Sequence, residues 1–167
     1  AGVAVVSVDP EKEKNVTSLH EKLIDGEYFN DKKKSQIIIS SKLAEELDVE
    51  IGKKIIVDFV KLDSIAVAEP FKVVGIFKTS NGMFDEMFAF VRNRDVEKVV
   101  GFHSDQAHEI VIKVNDNELV NGTKAKLSEM FPDLDTKKWL DILPEMAMIV
   151  EMGDFMLLII MFIILLA

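Results

Sequence analysis

The sequence contains no cysteine among its 167 residues, and basic residues are scarce relative to acidic ones. Without cysteine the chain has no disulfide bonds, thiol nucleophiles or thiolate metal ligands, although this does not fix the compartment, because many extracytoplasmic domains lack disulfides. The 20 lysines and arginines are outnumbered by 29 acidic residues, which gives a net charge of -9. This charge argues against nucleic acid and anionic lipid surfaces as partners, since both favour clustered cations. We interpret the one dense basic patch, Lys32-Lys33-Lys34, as a solvated turn.

The motifs of common catalytic sites are missing as well. A phosphate-binding loop needs a glycine several residues before Gly-Lys-Ser/Thr, and Gly52-Lys53-Lys54 has neither that glycine nor the hydroxyl residue. No serine lies in a Gly-x-Ser-x-Gly nucleophile elbow. The sequence therefore predicts no catalytic residue, no ATP binding by this route and no cofactor.

One stretch concentrates residue types that ligate metals, namely His103-Ser104-Asp105-Gln106-Ala107-His108-Glu109. A zinc-binding His-Glu-x-x-His helix would require a histidine where Ile112 stands, so we interpret this stretch as a solvated turn. Asp116-Asn117-Glu118 lacks the glycine and the distal glutamate of a calcium loop, and helix capping explains it better. The sequence predicts no metal site.

The residues that are present predict a folded α+β protein. With 49% hydrophobic residues, the chain is long enough for one domain or two small lobes. Runs rich in β-branched and aromatic residues predict strands at 2–8, 36–39, 55–60, 71–77, 87–91 and 109–114. Strands and helices are mixed without regular βαβ alternation, which favours the α+β class.

Helix signals lie between these strands. Ser18 and Glu21 form a capping box before a short helix that Gly26 would end. Ser41 is predicted to cap a helix that buries Leu43, Ala44 and Leu47. A further helix is predicted at 117–130, and a last one begins near Trp139, with Pro144 and Glu145 in its first turn.

The last thirteen residues, 155–167, read FMLLIIMFIILLA and contain no polar side chain. A helix of this length covers about 20 Å of a roughly 30 Å hydrocarbon core, so it cannot span the bilayer by itself. It is apolar on all sides, however, which favours the start of a membrane-spanning helix over a buried core helix. We expect residues 153–167 to begin a truncated span, with Asp154, Phe155, Met156 and Leu157 at the point where the chain enters the bilayer.

The residues beside this run indicate the side of the membrane on which the rest of the chain lies. Short cytoplasmic flanks are enriched in lysine and arginine, whereas residues 139–154 contain four acidic residues and no basic one. Residues 1–152 are therefore expected on the extracytoplasmic side. Met148, Met152 and Met156 share one helix face that suits a variable partner, although simple packing of the last helix explains them better.

Several short patterns occur in order along most of the chain. They are IIISSKLAEELDVEIGKKI at 37–55, FKVVGIFKT with Gly75 and Thr79, Phe84-Asp85 before MFAFV, and Trp139 followed by LPEM. In this order and spacing the chain resembles the extracytoplasmic domain of FtsX-like ABC transporter permeases of the MacB and lipoprotein-releasing type. The resemblance implies a two-lobed domain at 1–152, in which a mostly antiparallel β lobe is inserted at about 36–100.

The resemblance also implies a function and partners. The domain would be non-catalytic and would belong to a permease in the inner membrane that works with a separate cytoplasmic ATPase and a second permease copy or paralogue. The implied cargo is a lipoprotein, a peptide or a small amphiphile. Two other functions fit the terminal run: a ligand-binding domain of a membrane sensor or receptor, and a soluble binding module that buries its last helix.

One departure from the family pattern is informative. Lipoprotein-releasing permeases that recruit a soluble carrier use a proline-rich hook between two strands that correspond here to 55–60 and 71–77. In this chain the link reads KLDSIAVAEP and has a single proline at its end. We therefore expect that this domain does not dock such a carrier.

Overall fold

The structure is a computed structural model that describes residues 2–31, 33–61, 65–101, 106–142, 152–153, 156–157 and 159–165. The chain divides into two compact units, Ala1–Ile112 and Lys113–Ala167. The strands are β1 (Ala4–Val8), β2 (Leu23–Gly26), β3 (Gln36–Ser40), β4 (Lys54–Val60), β5 (Ala66–Phe77) and β6 (Phe88–Arg92). The helices are α1 (Pro10–Val16), α2 (Ser41–Leu47), α3 (Gly82–Met87), α4 (Asn93–Val100), α5 (Leu119–Met130) and α6 (Trp139–Ile142), with a short 3-10 turn at Leu19–Glu21.

A mixed six-stranded sheet forms the centre of the first unit. Its strand order is β1-β6-β3-β5-β2, and β4 pairs with β5. The β1–β6 and β3–β5 pairs are parallel, whereas β3–β6, β2–β5 and β4–β5 are antiparallel. This sheet with its helices confirms the α+β class, but the strands between 36 and 100 share one sheet with β1 and β2.

The long strand β5 connects the two parts of the sheet. Its residues 66–72 pair with β4, and its residues 72–77 pair with β3. Between Val73 and Gly75 the register with β3 shifts by one residue, so Val74 is an extra residue in the ladder. The β4–β5 hairpin is thereby continuous with the sheet at one end and extends beyond β3 at the other.

Apolar side chains cover both faces of the central strand β3, all of whose residues are buried. On one face Ile37 and Ile39 pack with α2 and α4, and on the other face Ile38 packs with the aromatic rings of Phe29, Phe77 and Phe90. A strand buried on both faces has a continuous apolar sequence, which is why QIIIS reads as it does. The first unit therefore has two hydrophobic layers around its sheet.

Side-chain caps fix the starts of helices α1, α2 and α3. Asp9 accepts hydrogen bonds from the amides of Glu11 and Lys12 at the start of α1, where Pro10 is the first helical residue. Asn81 caps α3 through the amides of Met83 and Phe84. These caps satisfy amides that lack partners within the helix.

The cap of α2 corrects a prediction by one position. The Oγ of Ser40 accepts from the Leu43 amide at 3.1 Å, so Ser40 is the N-cap and Ser41 is the first helical residue. Leu43 and Ala44 are buried as predicted, whereas Leu47 is exposed. The last turn of this short helix extends past the edge of the core.

The predicted helix that begins at Ser18 and ends at Gly26 is wrong, because only the 3-10 turn Leu19–Glu21 forms and β2 follows it. Gly26 explains the outcome. Its φ is +78°, and a Cβ at this position would lie 2.3 Å from the Val74 carbonyl oxygen. The glycine allows β2 to approach β5 closely and does not end a helix.

Half of the ten-residue link predicted between the strands at 55–60 and 71–77 is strand. β5 begins at Ala66, so only residues 61–65 connect β4 with β5. Pro70 is tolerated inside β5, opposite Ile56, because this part of the strand pairs with β4 and not with β3. No long loop separates the two strands.

The second unit contains α5 and α6. The predicted helix at 117–130 is confirmed as α5. Just before it, the Asp116 carboxylate accepts a hydrogen bond from the Glu118 amide at 3.0 Å. The strand predicted at 109–114 is wrong, since residues 109–115 form no helix or strand. None of the described residues of this unit is buried.

The C-terminal predictions fall largely outside the described residues. Residues 152–153, 156–157 and 159–165 are helical, and the described side chains among them are exposed. Within the described parts of the chain, no helix has the length and apolarity needed to cross a membrane. Pro144, Glu145, Met148, Asp154 and Phe155 lie outside the described residues.

Candidate functional site

A buried polar network lies where β3 begins and β6 ends. The Arg92 guanidinium is 1% exposed, and its Nε and Nη2 donate to Oδ2 of Asp95 at 2.7 and 2.6 Å. Arg92 also donates to the carbonyl oxygens of Asn30 and Lys33. The buried side-chain amide of Gln36 binds the same two residues. Its nitrogen donates to the Lys33 carbonyl at 2.7 Å, and its oxygen accepts from the Asn30 backbone amide at 3.0 Å.

This network holds Asn30 and Lys33 against the sheet. A buried guanidinium is costly unless it is paired and fully hydrogen-bonded, and here Asp95 supplies the charge while backbone carbonyls take the remaining donors. These residues were not predicted from the sequence. The pattern that could have indicated them is a polar residue at the end of an otherwise apolar strand, with an aspartate three positions later.

A second cluster lies at the opposite end of β3. The carboxylate of Asp85, which is buried, accepts from the Thr79 amide at 3.0 Å and from its hydroxyl at 2.7 Å. The Ser40 hydroxyl donates to the Asp85 carbonyl. Thr79, Asp85 and Ser40 therefore join the end of β5, helix α3 and the end of β3. The role that the structure gives to these motif residues is to fix the backbone.

Gly75 of the same motif permits a close approach between two segments. A Cβ on Gly75 would lie 2.8 Å from the Glu27 carbonyl oxygen and 3.0 Å from Leu23 Cδ2. The Glu27 amide donates to the Val74 carbonyl at 2.8 Å beside it. A larger residue would separate β2 and the following loop from β5.

The single tyrosine is tied to helix α1. The Tyr28 hydroxyl and the Thr17 hydroxyl both donate to the Glu13 carboxylate. Burial, and then the hydrogen bond to Glu13, raise the pKa of Tyr28 well above its usual range. A phenol that stays protonated and donates to this carboxylate is a structural contact, which ties Tyr28 to α1.

A cleft of about 370 Å³ opens beside Asn30 and Lys33, the two residues that Arg92 and Gln36 bind. It is lined by Gly26, Glu27, Asn30, Lys33, Ile51, Gly52, Lys72, Val73 and Val74. The described side chains around it include two lysines and one carboxylate, with neither a hydroxyl nucleophile nor an imidazole base.

Among the described residues no cluster of histidine and acidic side chains could hold a metal ion. His103 and Asp105 lie outside those residues. Met156 and Leu157, predicted at the membrane boundary, belong to helical segments and are exposed. Whether Asp154 to Leu157 mark the boundary stays a prediction.

The outer face of the β4–β5 hairpin presents a row of exposed apolar side chains on the first unit. We define the hairpin surface as the exposed side chains of Ile56, Val60, Ile65, Ala66, Ala68 and Pro70. Asp58 lies among them, opposite Ala68. On the inner face, Phe59 packs against Phe71 with ring centroids 5.8 Å apart. The inner face therefore anchors the hairpin to the core and leaves the outer face available for contacts.

Comparison with known proteins identifies the family. No curated protein matches the chain significantly. A sequence profile described as the MacB-like periplasmic core domain matches residues 1–130, which include the whole sheet and helix α5. The match confirms the resemblance found in the sequence. The chain therefore belongs to the MacB-like periplasmic core domain family, and it is an extracytoplasmic domain of a MacB- or FtsX-like ABC transporter permease.

Proposed function

We propose that this domain is non-catalytic and couples ATP hydrolysis by a separate cytoplasmic ATPase to the export or release of a lipoprotein, a peptide or an amphiphile. The observation that carries the proposal is the family match over residues 1–130. The sequence is consistent with it, because residues 1–167 contain no phosphate-binding loop. The match favours a permease over a sensory receptor.

The packing of the first unit supports a mechanical role. The central strand β3 is buried on both faces, and polar clusters at both of its ends hold the neighbouring loops to it. Packed cores shift between discrete arrangements and do not deform continuously, so such a unit moves as one body. We infer that nucleotide-driven motion of the permease displaces the sheet and the hairpin together.

The hairpin surface is the proposed contact for the apolar part of the cargo. Its exposed Ile56 and Val60 would bury acyl or aliphatic groups, which is favourable in proportion to the apolar area removed from water. Substituting Ile56→Asp and Val60→Asp should reduce release of a lipid-modified cargo while leaving ATP hydrolysis intact. A matched control is Ile24→Asp, because Ile24 is also largely exposed but lies on β2, outside the hairpin surface.

The proposed function is tested with the full-length permease and its ATPase in proteoliposomes. We expect ATP to release a labelled lipoprotein or amphiphile into solution, and a non-hydrolysable ATP analogue to give no sustained release. The purified 167-residue chain should hydrolyse neither ATP nor peptides. Hydrolysis by this chain alone, or transport unaffected by removal of the domain, would contradict the proposal.

The position of the chain in the membrane is proposed with the same function. Residues 153–167 are proposed to begin a span of the inner membrane, with residues 1–152 outside the cytoplasm. Because the chain has no cysteine, Asp135→Cys and Leu157→Cys provide unique thiols. A membrane-impermeant maleimide added to spheroplasts should label the first position and not the second. An unlabelled Asp135→Cys would contradict the proposed side of the membrane, and a labelled Leu157→Cys would contradict the proposed start of the span.

The expectation that no soluble carrier docks on this domain is kept as a prediction. The connection between β4 and β5 spans only residues 61–65, which shortens the segment that could serve as a hook. A pull-down with a purified lipoprotein carrier should recover none of it. Capture of the carrier by the chain, lost on deletion of residues 61–69, would show that the prediction is wrong.

A further inference from the structure

The segment Glu109 to Lys113 has the composition of a strand but no strand partner. Ile110, Val111 and Ile112 are 77%, 68% and 53% exposed. In the described part of the chain, none of the backbone hydrogen bonds involves residues 109–115. β-branched residues favour strands, and unpaired strand backbone is a template for pairing with another chain. The segment therefore presents both the side chains and the free backbone groups of an incomplete sheet.

The charges at the ends of this segment are complementary to each other. Glu109 precedes the three apolar residues and Lys113 follows them, so the segment reads Glu-Ile-Val-Ile-Lys and has no net charge. Two copies aligned in parallel and in register would place glutamate opposite glutamate and lysine opposite lysine, which is destabilising. Two antiparallel copies can place unlike charges opposite each other at both ends.

We propose that the Glu109 to Lys113 segment is a self-association surface, on which a second copy of this chain adds the same segment as an antiparallel strand. Val111 lies on the two-fold axis and opposes Val111 of the second copy. Ile110 then opposes Ile112, and Glu109 opposes Lys113, twice in each dimer. In a two-fold interface each contact occurs twice, so both charge pairs form together.

The register is set by the charges and the alternation of the side chains. Shifting the axis from Val111 to Ile110 or Ile112 leaves each glutamate opposite an uncharged residue. An axis between two residues places Glu109 opposite an isoleucine or a valine. With Val111 on the axis, Ile110 and Ile112 of both copies form one continuous apolar face, while Glu109 and Lys113 lie on the other face.

Cross-linking tests the axis directly. The chain has no cysteine, so Val111→Cys introduces one thiol that should face its own counterpart. Directly opposed residues in an antiparallel pair have Cα atoms about 4.5 to 5.5 Å apart, within the range for a disulfide. Mild oxidation of the full chain in detergent micelles, which shield the apolar C-terminal run, should convert Val111→Cys to a covalent dimer.

The neighbouring position supplies a geometric control. Ile110 lies diagonal to Ile110 of the second copy, at about 7 to 8 Å, which is too far for a disulfide. Ile110→Cys alone should therefore stay reduced, whereas a mixture of Ile110→Cys and Ile112→Cys should form a heterodimer. Ile56→Cys, exposed on the hairpin surface, reports random collisions.

A charge exchange tests the register independently. Glu109→Lys or Lys113→Glu should weaken dimerisation about tenfold, measured by sedimentation equilibrium in density-matched detergent, and the double exchange should restore it. All these side chains are exposed, so circular dichroism should be unchanged. A chain that is monomeric at all concentrations, equal cross-linking at positions 110 and 111, or no rescue by the double exchange would overturn the proposal. Amide protection of Val111 in a monomer would also overturn it, because the segment would then be covered within one chain.

Discussion

The described residues of the unit Ala1–Ile112 include fifteen buried hydrophobic side chains, whereas those of Lys113–Ala167 include none. In the first unit the apolar residues lie on both faces of a sheet, and helices cover them. In the second unit α5 has twelve residues, a glycine in its middle and no buried side chain. An isolated helix of this length is marginally stable in water. The comparison indicates that the first unit is stabilised by its own core, whereas the described residues of the second form no such core.

The polar contacts of the two units differ in the same way. Arg92 and Asp95 in the first unit are 1% and 6% exposed, whereas Lys124 and Asp141 in the second are 36% and 32% exposed. Loss of one partner from a buried pair leaves an uncompensated charge, while an exposed pair is replaced by water. Each unit also has its own spectroscopic probe, because Tyr28 is the single tyrosine and Trp139 the single tryptophan.

The largest effect is expected from Arg92→Met. The substitution leaves the Asp95 carboxylate buried without its cation and removes two donors from the loop carbonyls, so the free energy of unfolding should fall by about 3 to 5 kcal/mol. Denaturant unfolding followed by circular dichroism measures it. Arg94→Met is the matched control, because Arg94 pairs with Asp31 at the surface and should lose less than about 1 kcal/mol. Equal losses would remove the contrast between buried and exposed pairs.

A pair of glycine substitutions should change stability in opposite directions. Gly75→Ala places a Cβ 2.8 Å from the Glu27 carbonyl oxygen and should destabilise the first unit by about 1 to 3 kcal/mol. A Cβ at position 122 in α5 would have no atom within 4 Å, so Gly122→Ala should stabilise this helix by about 1 kcal/mol. Denaturation of both variants, with Trp139 fluorescence for α5 and α6, measures the signs. A destabilising Gly122→Ala would show that α5 is packed closely after all.

High pH should destabilise the first unit through Tyr28. The pKa of Tyr28 is raised in the folded state, so the unfolded chain loses the phenolic proton first, at a pH of about 10. Stability is fully present below that pH and decreases as the pH rises above it. The phenolate absorbance of this single tyrosine should then appear only as the unit unfolds. Tyr28→Phe should abolish this dependence, and a phenolate titration in the folded unit at its ordinary pH would contradict the structure.

The core of the first unit was predictable because its signals are local. Continuous or alternating apolar runs gave the positions of β1, β3, β4 and β6 to within about two residues. The strand Leu23–Gly26 could not be found in this way, because it depends on the close approach of Gly26 to Val74 across the sheet. Capping residues around Ser18 carried a helical signal that the pairing of β2 with β5 overrode.

The candidate site was less predictable than the fold. The family patterns located Gly75, Thr79 and Asp85, and the structure assigns them close packing and hydrogen bonding rather than ligand contacts. Arg92, Gln36 and Asp95 were missed because their network depends on contacts between distant residues, such as Arg92 with the Asn30 carbonyl 62 positions away, which leave no trace in spacing. The strand predicted from the alternation at 109–114 is wrong, because a strand also needs a neighbour, and sequence pattern does not show whether one is present.

The smallest effect is expected in the second unit at low pH. The Lys124 ammonium donates to the Asp141 carboxylate at 2.6 Å and lowers the pKa of Asp141, so the link between α5 and α6 is stabilised above the unfolded pKa and lost as the pH falls through the folded one. Trp139 fluorescence should report a shallow acid transition that Asp141→Asn removes, while the circular dichroism of the first unit's sheet stays constant. Because the pair is exposed to solvent, added salt should weaken the transition too. A transition insensitive to salt, or one that also unfolds the sheet, would mean that the second unit is coupled to a buried core and that the contrast between the two units is smaller than their packing indicates.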